Sequence, residues 1–149
     1  MGKKLLLTAA VLTFGLTLAA YADCTTENVA GVYGFVGFGT IGANPFGLPA
    51  GTYSAVGTLA FDGKGNLLIT NTARIDDLFL PPDATYQATY TVDRHCAGSF
   101  TITSFVTAGV PGPHFRIVFV DNRKGTRGIS LIHGWIVNFV NTTRIEGGN

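Results

Sequence analysis

Helix-forming sequence is what this chain has least of. Beyond residue 22, lysine, glutamate and alanine–leucine-rich stretches are scarce, and no segment repeats its apolar residues with a helical period. That excludes an architecture built on amphipathic helices. Charge is scarce as well: Asp, Glu, Lys and Arg make up 13% of the chain, with a formal net charge of +1. No basic patch is present to hold phosphates, so nucleic acid is excluded as a partner, and no acidic run forms a tail. Reactive signatures are missing too. There is no Gly-x-Ser-x-Gly, no His-Glu-x-x-His and no phosphate loop, so no cofactor is expected. After residue 22 no stretch reaches the roughly 18 consecutive apolar residues of a membrane span.

What is present begins with an export signal. Lys3 and Lys4 precede an uncharged apolar run from Leu5 to Ala20, and Ala20-Tyr21-Ala22 follows just before Asp23-Cys24. This is the pattern of a secretory signal peptide cleaved after Ala22. The run is shorter than the about 20 apolar residues that span a bilayer. Asp23 before Cys24 also breaks a lipoprotein box, which needs a small residue there. Residues 1–22 are therefore expected to be removed, leaving 23–149 as one domain, secreted or periplasmic. Loss of the two lysines takes the net charge of +1 to a value of −1.

The chain has two cysteines, and an oxidising compartment makes one disulfide, Cys24–Cys96, their simplest state. The alternative is a pair of free thiols with a redox or metal role. The absence of Cys-x-x-Cys argues against it.

Gly, Thr, Val, Phe and Tyr dominate the remainder, and turn clusters cut it at short intervals, which favours strands. The pattern predicts eight, over 29–41, 52–61, 66–75, 85–92, 99–107, 114–121, 126–133 and 135–145. Phe115, Ile117 and Phe119 share one face, as do Tyr86, Ala88, Tyr90 and Val92, opposite Gln87, Thr89 and Thr91. This is the period of two of a half-buried strand. The last strand is apolar on both faces and needs cover on both, which a second copy of the chain would supply. Eight short-linked strands imply an antiparallel up-and-down β-barrel, which leaves no edge exposed.

The links then sort by end. Asp62–Gly65 and Asn122–Gly125 are tight turns at one end, with glycine expected where positive φ is needed, and Asp93–Gly98, which carries Cys96, is a third short turn there. Gly42–Gly51, Asp76–Ala84 and Ala108–Pro113 are long links at the other. Cys24 and Cys96 both fall at the tight end, so their bridge fits the meander.

Three segments carry a resemblance: Gly31-Val32-Tyr33-Gly34-Phe35, the hairpin Gly57 to Leu67, and the hairpin Tyr90 to Phe100. Together they resemble a group of secreted bacterial proteins with a small barrel, similar to the allene oxide cyclase-like and lipocalin-like (calycin-like) barrels. The resemblance implies a barrel with ligand binding as its usual use. It transfers no catalytic residue.

Barrels bind ligands at their mouths, so the long-loop end is the place to look. Phe46, Leu48, Phe79 and Leu80, with Pro45, Pro49, Pro81 and Pro82, make its loops apolar and stiff. They suit a lid over a small hydrophobic ligand, a patch for a partner protein, or a plug that fills the barrel. His114 and His133 fall at the same end with Asp76 and Asp77. They can line a site or stand exposed and unrelated, and their spacing matches no metal motif. Arg74, Arg116 and Arg144 lie within strands. Turned inward, one would hold a ligand carboxylate, and the parity of Phe115 points Arg116 outward. Asn141-Thr142-Thr143 is a glycosylation sequon by pattern only.

Three functions remain open on this reading. The first is a binding protein for a small apolar molecule at the long-loop end. The second is a structural or homo-oligomerising protein with a filled barrel. The third is a cyclase- or isomerase-like barrel enzyme that works by shape and a few polar groups.

Overall fold

Alternation of buried and exposed residues along the strands decides which side chains meet. The computed structural model describes residues 23–105 and 111–145, the side chains of 140–143 excepted, so the expected signal peptide lies outside the described residues. The strands are β1 (Gly31–Ile41), β2 (Gly51–Phe61), β3 (Asn66–Ile75), β4 (Leu78–Phe79), β5 (Ala84–Val92), β6 (Ala97–Ile102), β7 (His114–Val120), β8 (Gly125–Ser130) and β9 (Trp135–Ile145).

Eight of them form a closed antiparallel barrel. Each pairs with its neighbours along the chain, and β9 returns to β1 over the whole length from Val32↔Ile145 to Ile41↔Trp135. Closure leaves no unpaired edge among the eight. The two residues of β4 are not a stave. They fold back on the end of β3, pairing Arg74↔Phe79 and Ile75↔Leu78.

Two strands end earlier than their composition suggests, because hydroxyl side chains take over the backbone groups. At the end of β6, Thr103 and Ser104 both donate their N–H to the Gln87 carbonyl, while the Ser104 hydroxyl accepts from Gln87 N–H at 3.2 Å. The strand stops at Ile102, and the last two residues of the predicted span 99–107 lie outside the described residues. At the end of β8, the Ser130 hydroxyl donates to the Trp135 carbonyl at 2.8 Å and accepts from Val137 N–H at 3.1 Å. The strand therefore stops short of His133.

The tight end is sealed by the N-terminal segment. Val29 is fully buried beneath the barrel, and the Tyr33 hydroxyl lies 3.1 Å from both the Val29 and the Arg123 carbonyls, which share its one proton. Tyr90 donates to the Thr26 carbonyl at 3.0 Å and accepts from Gly63 N–H at 3.1 Å. Cys24 and Cys96 are bridged at the same end, with Cα atoms 4.9 Å apart. Above this floor, Phe61 meets Tyr33, Tyr90 and Phe119 edge-on, at centroid separations of 5.5, 4.8 and 5.3 Å. Each such contact contributes about 0.5–1.5 kcal/mol beyond area burial.

Two of the tight turns share one design. Asp62 accepts from the N–H of Lys64 and Asn66, and Asp93 from the N–H of His95 and Ala97, each through Oδ1. The glycines serve unevenly. Gly63 and Gly65 take positive φ as expected, at 77° and 100°. In the β7–β8 turn the left-handed positions are instead Asp121, Asn122 and Arg123, at 52°, 54° and 66°. Asp and Asn tolerate that region because their short polar side chains bond locally.

Candidate functional site

The sealed end directs attention to the opposite half of the barrel. A cavity of about 60 Å³ lies there, lined by inward residues of β1, β2, β3, β5, β6, β7 and β9. Its walls are mostly aromatic and aliphatic, with Phe35, Ile69, Phe100, Phe115, Val137 and Phe139 among them. Phe100 stacks on Phe115 at 4.8 Å, and Phe139 meets Phe35 edge-on at 5.3 Å.

Small side chains on β2 and β3 leave the space. The inward line of β3 reads Leu67, Ile69, Asn71, Ala73, Ile75, so it carries one amide and one methyl where the rest is bulky. Asn71 stands opposite Gly57 on β2. A Cβ on Gly57 would come 2.8 Å from the Cβ of Asn71 and would collide with the Thr70 carbonyl oxygen. Glycine at this position gives the carboxamide its room.

Four of the lining residues carry a polar side-chain group: Asn71 a carboxamide, Tyr53 and Tyr86 hydroxyls, and Trp135 an indole N–H. Trp135 is 8% exposed, and its Nε1 is buried with no hydrogen-bond partner among the described residues. The side chains of Asn71, Tyr53 and Tyr86 also make no hydrogen bond among the described residues. A buried polar group is normally satisfied, and one left open costs about 1–3 kcal/mol; among the described residues that holds for the Trp135 Nε1. Burial raises both tyrosines above their ordinary value, Tyr53 the more strongly with Tyr86 adding to the effect, so both stay protonated.

Among the described residues no carboxylate, histidine, lysine or arginine lines the cavity. An ion placed there would find no countercharge, and an unpaired buried charge is very costly. The site therefore suits a neutral molecule. Its hydroxyl, carboxamide and indole groups supply donors to oxygen, and the rings around them supply apolar contact.

Loops close the top. Asn44 organises the β1–β2 link through four hydrogen bonds. Its Nδ2 donates to the Gly42 and Leu48 carbonyls at 2.9 Å each, and its Oδ1 accepts from Phe46 and Leu48 N–H at 3.0 and 3.3 Å. This seats Phe46 edge-on to Trp135 at 5.5 Å and to Phe105 at 6.0 Å. Phe105 in turn stacks on Tyr86 at 5.1 Å. Leu48, Leu80 and Phe105 reach the cavity itself.

The residues that the sequence suggests for the mouth are thus dispersed. Leu48 and Leu80 line the cavity, and Phe46 packs one layer above it. Phe79 sits in β4 on the outer surface, 71% exposed. His114 shares the outward parity of Arg116, with its Nδ1 2.7 Å from the Thr101 hydroxyl of β6. His133 is exposed in the β8–β9 turn. Asp76 takes the Thr52 N–H at 2.8 Å, a structural role in its turn. Arg74, Arg116 and Arg144 are all exposed, so none stands inside the barrel to meet a carboxylate. Among the described residues no cluster of His, Cys, Asp or Glu is placed to hold a metal, and no helix is long and apolar enough to cross a membrane.

Comparison of the chain with protein-family models, curated proteins and solved structures finds no match. The site is therefore read from its own chemistry. Sequence reasoning misses Asn71, Tyr53, Tyr86 and Trp135 as a group. One signal was available: Asn71 is the single polar break in the inward period-two line of β3. Nothing in the sequence shows that the Trp135 N–H lacks a partner.

Proposed function

We propose that this protein binds a small, neutral, largely apolar molecule that carries one or two oxygen atoms, in the mouth half of the barrel. The observation that carries the reading is the set of four polar residues in an otherwise apolar lining, none with a side-chain hydrogen bond among the described residues. A ligand oxygen would accept from donors that have no partner among the described residues. The resemblance of the Gly31–Phe35 strand and the two hairpins to calycin-like barrels supports the same use. A disulfide and the export signal agree with a role outside the cytosol.

Volume sets a condition. At about 60 Å³ the cavity is well below the roughly 300 Å³ at which drug-sized ligand pockets begin. Entry of anything larger than a few waters requires Phe46, Leu48, Leu80 and Phe105 to swing aside, and all four come from links rather than staves. The small volume is also the one observation favouring a second reading, a filled barrel that acts as a structural or interaction module.

Organic extraction of the natively folded protein from its own host, followed by mass spectrometry, separates the two. A neutral species enriched near one per chain, and lost on Ala73→Phe, supports binding. No enriched species with wild-type protein, together with no uptake of a neutral apolar dye, leaves the filled barrel.

A further inference from the structure

The outer wall has a chemistry of its own. Among the described residues the carboxylates lie in turns and links at the two ends: Asp23, Glu27, Asp62, Asp93 and Asp121 below, Asp76, Asp77 and Asp83 above. The wall formed by β7, β8, β9, β1 and β2 carries none in its described strand residues. It carries three exposed arginines, Arg116 on β7, Arg127 on β8 and Arg144 on β9, the last donating from Nη2 to the Ala30 carbonyl at 2.7 Å by the sealed end.

The same wall exposes large apolar side chains. Phe38 is 46% exposed, Val56 59%, Ile129 50% and Ile136 67%. Strand register makes them continuous. Val36 faces Val56 across β1 and β2, Phe38 faces Asn138 across β1 and β9, and Ile129 lies between Asn138 and Arg116. A shallow groove crosses the middle of this band over Gly128, next to the register shift between Thr126 and Gly128. Phe38, Ile129 and Val118 are on its sides, with Arg116 and Arg127 at its rim. Single exposed apolar residues are ordinary on a protein surface, whereas a contiguous band marks an interaction site.

Charge decides the occupant. A second copy meeting this wall face to face would bring arginine against arginine with no carboxylate between them. A surface with negative charge outside and hydrocarbon beneath matches both features at once. We propose that the β7–β8–β9–β1–β2 wall docks on an anionic lipid bilayer. Phe38, Ile129 and Ile136 enter the interfacial layer while Arg116 and Arg127 meet the phosphates.

The test is flotation of the exported chain, its first residue checked as Asp23, with vesicles of phosphatidylglycerol and phosphatidylcholine or of phosphatidylcholine alone. Binding to the anionic vesicles only, weakened by 1 M salt, is expected. Arg116→Ser with Arg127→Ser should lower the partition coefficient about 30-fold, as two basic side chains near an anionic surface imply. Phe38→Ser removes an exposed ring and should reduce binding with unchanged thermal unfolding. Equal binding to both vesicle types, or none to the anionic ones, overturns the proposal. So does a stable dimer that Phe38→Ser dissociates and that does not float.

Discussion

Asn71 faces Gly57 across the β2–β3 ladder, and a side chain on Gly57 would meet the Cβ of Asn71 at 2.8 Å. One strand gives up a side chain and the next places an amide in the opening. A barrel selected only for stability would put an aliphatic residue at position 71, since every other inward residue of β3 is apolar.

Gly57→Ala should therefore destabilise the fold by about 1–3 kcal/mol, the usual cost of forcing volume into a packed interior. Asn71→Leu should do the reverse and raise the urea midpoint, because it replaces an open amide with hydrocarbon. Equilibrium urea unfolding of both variants checks the pair of signs.

Replacing Cys24 and Cys96 with serine opens a loop of sequence separation 72. The chain-entropy account gives a loss of up to about 4 kcal/mol. The bridge lies at the sealed end, so dye binding at the mouth should persist in the molecules that remain folded. Thermal unfolding and dye titration on the same sample measure the two effects separately.

Asn44→Ala removes four hydrogen bonds from the β1–β2 link and frees Phe46 from its seat on Trp135. Dye entry should become faster, with a stability loss of about 1–2 kcal/mol, since these bonds stay within one loop and water replaces some of them. Stopped-flow mixing with a neutral dye reads the rate.

Stability should fall at both ends of the pH scale. Hydrogen bonds from Asn66 and Lys64 hold Asp62 below its ordinary 3.8, and hydrogen bonds from Ala97 and His95 do the same for Asp93. Their contribution is present above about pH 4 and is lost as pH falls below it. Burial raises Tyr33, Tyr53, Tyr86 and Tyr90 above 10.0. Their contribution is complete below that value and is lost as pH rises past it. Urea midpoints across pH should form a plateau with two shoulders, and Asp62→Asn with Asp93→Asn should flatten the acid one.

Much of this barrel was legible in the sequence, and the reasons are physical. The alternation of Phe115, Ile117 and Phe119 needs only a period of two to be seen, and the cysteines fell at one end once the strands were counted. Phe79 was harder. Its apolar side chain suggests the mouth, but Asp76 takes a φ of 49° and sends the chain back along β3, which turns Phe79 to the outside. The cavity was hidden because it depends on cross-strand partners. Gly57 is informative only when its neighbour is known to be Asn71, and the open Trp135 N–H becomes visible only when everything around it has been placed.

The chain has one tryptophan, and Trp135 lines the cavity, so fluorescence reports on the site directly. The most direct measurement is a titration of residues 23–149 with the neutral dye N-phenyl-1-naphthylamine, following energy transfer from Trp135. Saturable transfer that is lost in Ala73→Phe and weakened in Asn71→Leu is the predicted result. Absence of saturable transfer in the wild-type protein, or an unchanged affinity in Ala73→Phe, would contradict the account of an internal binding site.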